Sequence, residues 1–163
     1  MKHYEIGIDL GTSSVIIATK EQGVIFRQPT VGAVDTRSNT VIAVGDKALR
    51  MVGRAPSAID IVRPLRDGVI QDHRMTNELI LRFLAEVCPS RLIRPRVAVC
   101  VPAAITGVEA DAVVESVMAA GAKQVYLVDE PVAAALGAGL DIRTPRGCMV
   151  IDIGGGSTDI AVI

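Results

Sequence analysis

Val150-Ile151-Asp152-Ile153-Gly154-Gly155-Gly156-Ser157-Thr158-Asp159 stands near the end of the 163-residue chain, and an apolar run resumes at Ile160-Ala161-Val162-Ile163. An apolar segment with one carboxylate, three glycines, two hydroxyl side chains and a second apolar segment predict strand, glycine turn, strand. Three adjacent glycines leave backbone N–H groups unshielded, so the turn closes tightly and can press against an anion such as a phosphate. Taken alone, this pattern is more often a plain hairpin.

The same arrangement occurs at the other end: Ile6-Gly7-Ile8-Asp9-Leu10-Gly11-Thr12-Ser13-Ser14, followed by Val15-Ile16-Ile17-Ala18. Two Asp-x-Gly hairpins separated by most of the chain can face each other as a clamp. Their amides and hydroxyls (Gly11, Thr12, Ser13 and Ser14 on one side, Gly154, Gly155, Gly156, Ser157 and Thr158 on the other) would hold a polyphosphate. Asp9 and Asp152 would hold Mg²⁺, which prefers oxygen ligands and keeps most of its waters. Neither hairpin is a Walker A loop, because no Gly-Lys-Ser/Thr follows the glycines. An Asp within an apolar strand is expensive to bury without a cation or donors; the simpler alternative is that each satisfies turn amides.

Composition sets the class. Half of the residues are apolar and 21% charged, which is the balance of a soluble globular chain. A formal net charge of −1, from 17 basic and 18 acidic side chains, argues against nucleic acid as a partner. Cys88, Cys100 and Cys148 have no metal-like spacing, and their odd number argues against a disulfide framework, so they are expected as buried small hydrophobes. Met1-Lys2-His3-Tyr4-Glu5 leads into the first strand without an apolar leader. The longest uncharged stretch, residues 97–108, falls short of the roughly 20 residues of a spanning helix. The expected location is cytoplasmic.

In chain order, β-rich segments at 4–10, 14–19 and 24–28 predict an antiparallel meander. Short strands are expected at 31–34 and 40–44, a short helix at 46–52, and an irregular Pro-, Gly- and Arg-rich passage to Asp67. Met75, Leu79, Ile80, Phe83, Leu84 and Val87 form one helical stripe, which Pro89 should stop. Residues 96–101 read as a strand of a parallel sheet. Thr106 and Glu109 make a capping box for a helix running to about residue 120. A strand at 124–129, a helix opened by Pro131 and ending near Gly139, and strands at 149–153 and 158–163 complete the series. The alternation predicts an α/β fold: a mixed β-sheet flanked by helices, with a small inserted α+β lobe.

The motifs also carry a resemblance. Asp9-Leu10-Gly11-Thr12 and Asp152-Ile153-Gly154-Gly155-Gly156-Ser157-Thr158-Asp159 resemble the two phosphate motifs of the actin, Hsp70 and sugar-kinase superfamily, whose domains are actin-like (ribonuclease H-like). Asp129-Glu130-Pro131-Val132-Ala133-Ala134-Ala135-Leu136-Gly137-Ala138-Gly139-Leu140 is similar to its first connecting motif, and Arg63-Pro64-Leu65-Arg66-Asp67-Gly68-Val69-Ile70 narrows the resemblance to bacterial actin homologues of the MreB type. Ser13-Ser14 stand where that family usually has Ala-Asn.

The resemblance implies an ATP- and Mg²⁺-binding, filament-forming ATPase that organises wall synthesis and maintains rod shape. It would self-associate and lie at the inner face of the cytoplasmic membrane with cell-shape and wall-synthesis membrane proteins. It implies one subdomain at 1–30 and 71–163 carrying both hairpins, a smaller one at 31–70, and a second nucleotide-binding domain absent from this chain. Weak ATP affinity and negligible turnover are expected of such a half alone. Glu130, which the residues alone suggest as a helix-capping charge, becomes by resemblance the side chain that positions and polarises the attacking water. Asp159 extends the metal shell or caps a turn. In Arg91-Leu92-Ile93-Arg94, the apolar pair Leu92 and Ile93 between arginines could dip into an anionic bilayer, or the loop could fold back on the core. Two alternatives stay open: an Hsp70-like chaperone fragment, and a non-catalytic half that caps filaments of a complete relative.

Overall fold

The computed structural model describes residues 4–88 and 92–163. Met1, Lys2 and His3, the expected helix stop Pro89, and Arg91 of the apolar loop lie outside the described residues. The chain opens with β1 (Glu5–Leu10), β2 (Ser14–Thr19) and β3 (Gly23–Pro29), an antiparallel meander. Strict alternation in β1 buries Ile6, Ile8 and Leu10 and turns Glu5 and Asp9 to the opposite face.

A lobe follows. β4 (Gly32–Asp35), β5 (Thr40–Val44), the one-turn α1 (Asp46–Leu49) and β6 (Ile59–Val62) form a three-stranded sheet of order β5-β4-β6 with its own small core of Val31, Ala33 and Ala48. The passage expected to be irregular thus contains a strand: Ile59 to Val62 pairs antiparallel with β4. The helix expected at 46–52 stops after four residues and continues as turns. A tight hairpin, β7 (Leu65–Arg66) and β8 (Val69–Ile70), leads out of the lobe. Its two turn residues, Asp67 and Gly68, both have positive φ (52° and 79°), which the strand twist of a two-residue turn demands and which glycine meets without strain.

Helix α2 (His73–Val87) is capped by Asp72, whose side chain accepts a hydrogen bond from the Met75 N–H at 2.8 Å. Its expected stripe is buried at Met75, Leu79, Ile80, Phe83 and Leu84. Strand β9 (Arg96–Val101) pairs parallel with β1, helix α3 (Gly107–Ala119) begins with the Thr106/Glu109 capping box, and β10 (Gln124–Asp129) pairs parallel with β9. The main sheet is therefore mixed, of order β10-β9-β1-β2-β3. Helices α2 and α3 cover its apolar face. Ile6, Ile8, Val15, Ile17, Val97 and Val99 meet Leu79, Phe83, Val113 and Val117 there, with the Phe26 and Phe83 rings 4.8 Å apart.

Helix α4 (Glu130–Gly137) starts directly at the end of β10, and β11 (Met149–Ile153) and β12 (Thr158–Val162) form the closing hairpin. This hairpin is a separate two-stranded sheet rather than an extension of the main one. The three thiols are free, and each is partly rather than wholly buried. No described helix is long and apolar enough to cross a membrane.

Candidate functional site

The two glycine turns close by the same bond. Gly11 N–H donates to the Ser14 carbonyl at 3.2 Å, and Gly154 N–H donates to the Ser157 carbonyl at 2.9 Å. Each turn thus spans four residues between antiparallel strands and leaves its remaining amides directed away from the ladder. The turns also interlock. A Cβ on Gly156 would come within 2.7 Å of Thr12, and one on Gly155 would strike Ser13. Glycine at these positions is what lets the hairpins meet.

The first turn is braced from behind. Thr30, fully buried, donates its hydroxyl to the Gly11 carbonyl at 2.7 Å and its N–H to the Ser13 carbonyl at 3.0 Å. Gly68 N–H donates to Thr12 Oγ1 at 3.0 Å, so the Arg63 to Ile70 motif leans directly on the first hairpin. Neither contact was foreseen in the sequence, because both join residues far apart in the chain.

Between the hairpins lies a cavity of about 500 Å³, within the usual range of ligand pockets. It is lined by Asp9, Gly11, Thr12, Ser13, Ser14, Glu130, Asp152, Gly154, Gly155, Gly156 and Ser157. Every expected phosphate, metal and catalytic residue therefore comes together here except Thr158, which opens β12 and does not line the cavity. Arg27 and Cys100 also line it and were missed in the sequence.

Asp9 and Asp152, each inside an apolar strand, both face this space. The cavity is short of positive charge. Asp9 is pushed above the usual carboxylate range by desolvation and then by Asp152, with Arg27 opposing. Glu130 rises to about 7, through desolvation first and then the charges of Asp159, Asp9 and Asp152, with a hydrogen bond to Asp159 adding to the effect. Burial, and then the charges of Asp9, Glu130 and Asp152, push the Cys100 thiol up to about 11. Asp129, not Glu130, occupies the helix-capping position, and no side-chain cap bond is made there. Glu130 stands in the first turn of α4, so its charge still favours the helix N-terminus while its carboxylate lines the cavity. Asp159 stands opposite Asp152 in the hairpin and accepts a hydrogen bond from the Ala103 N–H at 3.3 Å.

These residues fit a polyphosphate with Mg²⁺. Turn amides and hydroxyls supply donors, the glycines make room, and a bound cation would relieve the mutual repulsion that raises the carboxyl pKa values. Among the described residues no cluster of three or more His, Cys, Asp or Glu forms a metal cage. Two carboxylates suit Mg²⁺ only when phosphate oxygens and water complete the octahedron.

The apolar loop divides. Leu92 is 93% exposed and Ile93 42%, with Ile93 also lining an open groove with Leu84, Cys88, Pro95 and Ala120 at the ends of α2 and α3. Arg94 donates to the Gly121 and Ala122 carbonyls at 3.3 and 2.8 Å, which ties its guanidinium to the turn that follows α3.

Residues 3–163 match the MreB/Mbl protein family. The cell shape-determining protein Mbl of Bacillus subtilis (strain 168) is 48% identical over 160 residues, 98% of this chain and 48% of the relative. The crystal structure of MreB5 of Spiroplasma citri bound to ADP superposes with a TM-score of 0.89 at 34% identity, over 99% of this chain and 48% of that one. The MamK double helical filament, at 23% identity and a TM-score of 0.82 over 99% of this chain and 50% of that one, shares the fold. The chain spans about half the length of the relatives it matches. By this match over nearly its whole length, and by the actin-like arrangement of its mixed sheet and paired hairpins, the chain belongs to the MreB/Mbl family.

Proposed function

We propose that this chain is the phosphate-holding half of an ATP-dependent, filament-forming protein that organises wall synthesis and maintains rod shape at the inner face of the cytoplasmic membrane. One observation carries the reading: two hairpins from opposite ends of the chain, closed by the same bond, interlock around a single cavity that gathers three carboxylates. The relatives support it, since Mbl is a cell shape-determining protein and MreB5 was crystallised with ADP and with AMPPNP.

The hairpin amides and the hydroxyls of Thr12, Ser13 and Ser14 bind phosphate oxygens, and Asp9 and Asp152 would hold Mg²⁺ through its waters. Bound Mg²⁺-ATP would supply the γ-phosphoryl group, and phosphoryl transfer leaves the protein chiefly positioning and charge stabilisation. Glu130 lines the same cavity, where its carboxylate is placed to orient and polarise the attacking water. Residues 1–30 and 71–163 carry the nucleotide site, and 31–70 serve as the smaller lobe.

Ultracentrifugation with Mg²⁺-ATP and filaments of full-length Bacillus subtilis Mbl tests the reading. The chain should appear in the pellet in proportion to the polymer. Retention in the supernatant at every ratio would contradict it, and loss of Mbl polymer at small molar ratios would mark a filament cap instead. The Leu92 and Ile93 loop is proposed to touch the bilayer through Leu92, its outward side chain. Leu92→Ser should lower co-sedimentation with anionic liposomes more than Ile93→Ser does, because Leu92 is the more exposed of the two; unchanged co-sedimentation of Leu92→Ser would remove the membrane role.

A further inference from the structure

We propose that Arg27 supplies the cation that grips the polyphosphate tail of the ligand, opposite the two aspartates. This rests on the reading of the cavity as a polyphosphate site. Sheet register places the residue: Asp9 of β1 pairs with Ile16 of β2, and Ile16 pairs with Arg27 of β3. Residues in one such row share a face of the sheet. All three line the cavity, and Arg27 is the only Lys or Arg among its lining residues. It also borders an adjoining space of about 450 Å³ together with Ser13, Ser14 and Arg63, so its side chain stands beside the hydroxyls of the first hairpin.

Its guanidinium is uncommitted. Arg74, Arg82, Arg94 and Arg96 are each tied to a backbone carbonyl, a carboxylate or a phenol, but Arg27 makes no side-chain hydrogen bond and no ion pair among the described residues. Two strand spacings separate the backbones of Asp9 and Arg27, roughly 10 Å. The two charges therefore flank the space between them instead of closing on each other. An anion with several oxygens fits between: its metal-bound side toward Asp9 and Asp152, its other oxygens toward the planar fork of the guanidinium, which matches phosphate geometry in pairs of N–H···O bonds. Without Arg27 the wall of the cavity offers three carboxylates and no positive side chain.

The test is an NMR titration of the ¹⁵N-labelled chain, which reads millimolar affinities, with Mg²⁺-tripolyphosphate, Mg²⁺-ATP and adenosine, for wild type, Arg27→Gln and Arg27→Lys. Arg27→Gln should weaken tripolyphosphate and ATP roughly tenfold, as loss of a charge-assisted contact does, and leave adenosine shifts unchanged. Arg27→Lys should recover part of the affinity. Equal polyphosphate affinity in wild type and Arg27→Gln would overturn the role of Arg27 while leaving the cavity reading intact. A wild type that binds neither polyphosphate would overturn both. Amide shifts spread over the ligand-free spectrum of Arg27→Gln, with a lowered melting temperature, would show that Arg27 acts on the fold and not on the phosphates.

Discussion

Gly156 and Thr12 meet so closely that one methyl group decides whether the hairpins can interlock. A Cβ at Gly156 lies 2.7 Å from Thr12, whose hydroxyl already accepts the Gly68 N–H. Gly156→Ala should therefore lower the melting temperature by the equivalent of about 1–3 kcal/mol of overpacking and free the Gly68 amide. Gly7→Ala, where nothing lies within 4 Å, should stay within about 0.5 kcal/mol; the pair is compared by thermal denaturation. Glu130 gives a second prediction at this scale. Its folded pKa, about 7, lies above the ordinary glutamate value of 4.5, so the folded state holds the proton more tightly than the unfolded one. Its contribution to stability is full below about pH 4.5 and is lost as pH rises through 7. Wild type should lose stability relative to Glu130→Gln over that window, measured by urea denaturation at several pH values, and parallel profiles would show that Glu130 is not perturbed.

Elements built from local signals were readable in advance. The capping box is one: Thr106 Oγ1 accepts the Glu109 N–H, and Glu109 Oε2 accepts the Thr106 N–H at 2.8 Å, all within four residues. Thr106→Ala should cost about 1 kcal/mol, and faster amide exchange confined to the first turn of α3 would check it. The glycine hairpins were readable for the same reason, since each closes over four residues. Strand β6 was not. Its four residues are too short for a period and sit among prolines and arginines, and they become a strand only because β4 offers an edge to them. Arg27 escaped notice because a charged residue on the polar face of a strand reads as solvated; only the register across three strands brings it to the cavity. Thr30 carries no local signal, because its two bonds to the first hairpin depend on a fold-back that no local rule encodes.

At the scale of the molecule, the hairpin of β11 and β12 stands apart from the main sheet and exposes Met149, Ile151, Ile153, Ile160 and Val162 on one face. By contrast, Ile8 and Leu10, which flank Asp9 as Ile151 and Ile153 flank Asp152, are buried under the helices. The cavity is built where these two unlike halves touch, so the account depends on the hairpins acting together rather than on either alone. Calorimetry, or NMR titration where binding is weak, of Mg²⁺-ATP against wild type and an Asp9→Ala, Asp152→Ala double variant tests this most directly. The account predicts Mg²⁺-dependent binding by wild type and a loss of at least about tenfold in the variant, as expected when charged ligands of a bound cation are removed. Binding that is equal in both, or that needs no Mg²⁺, would contradict it.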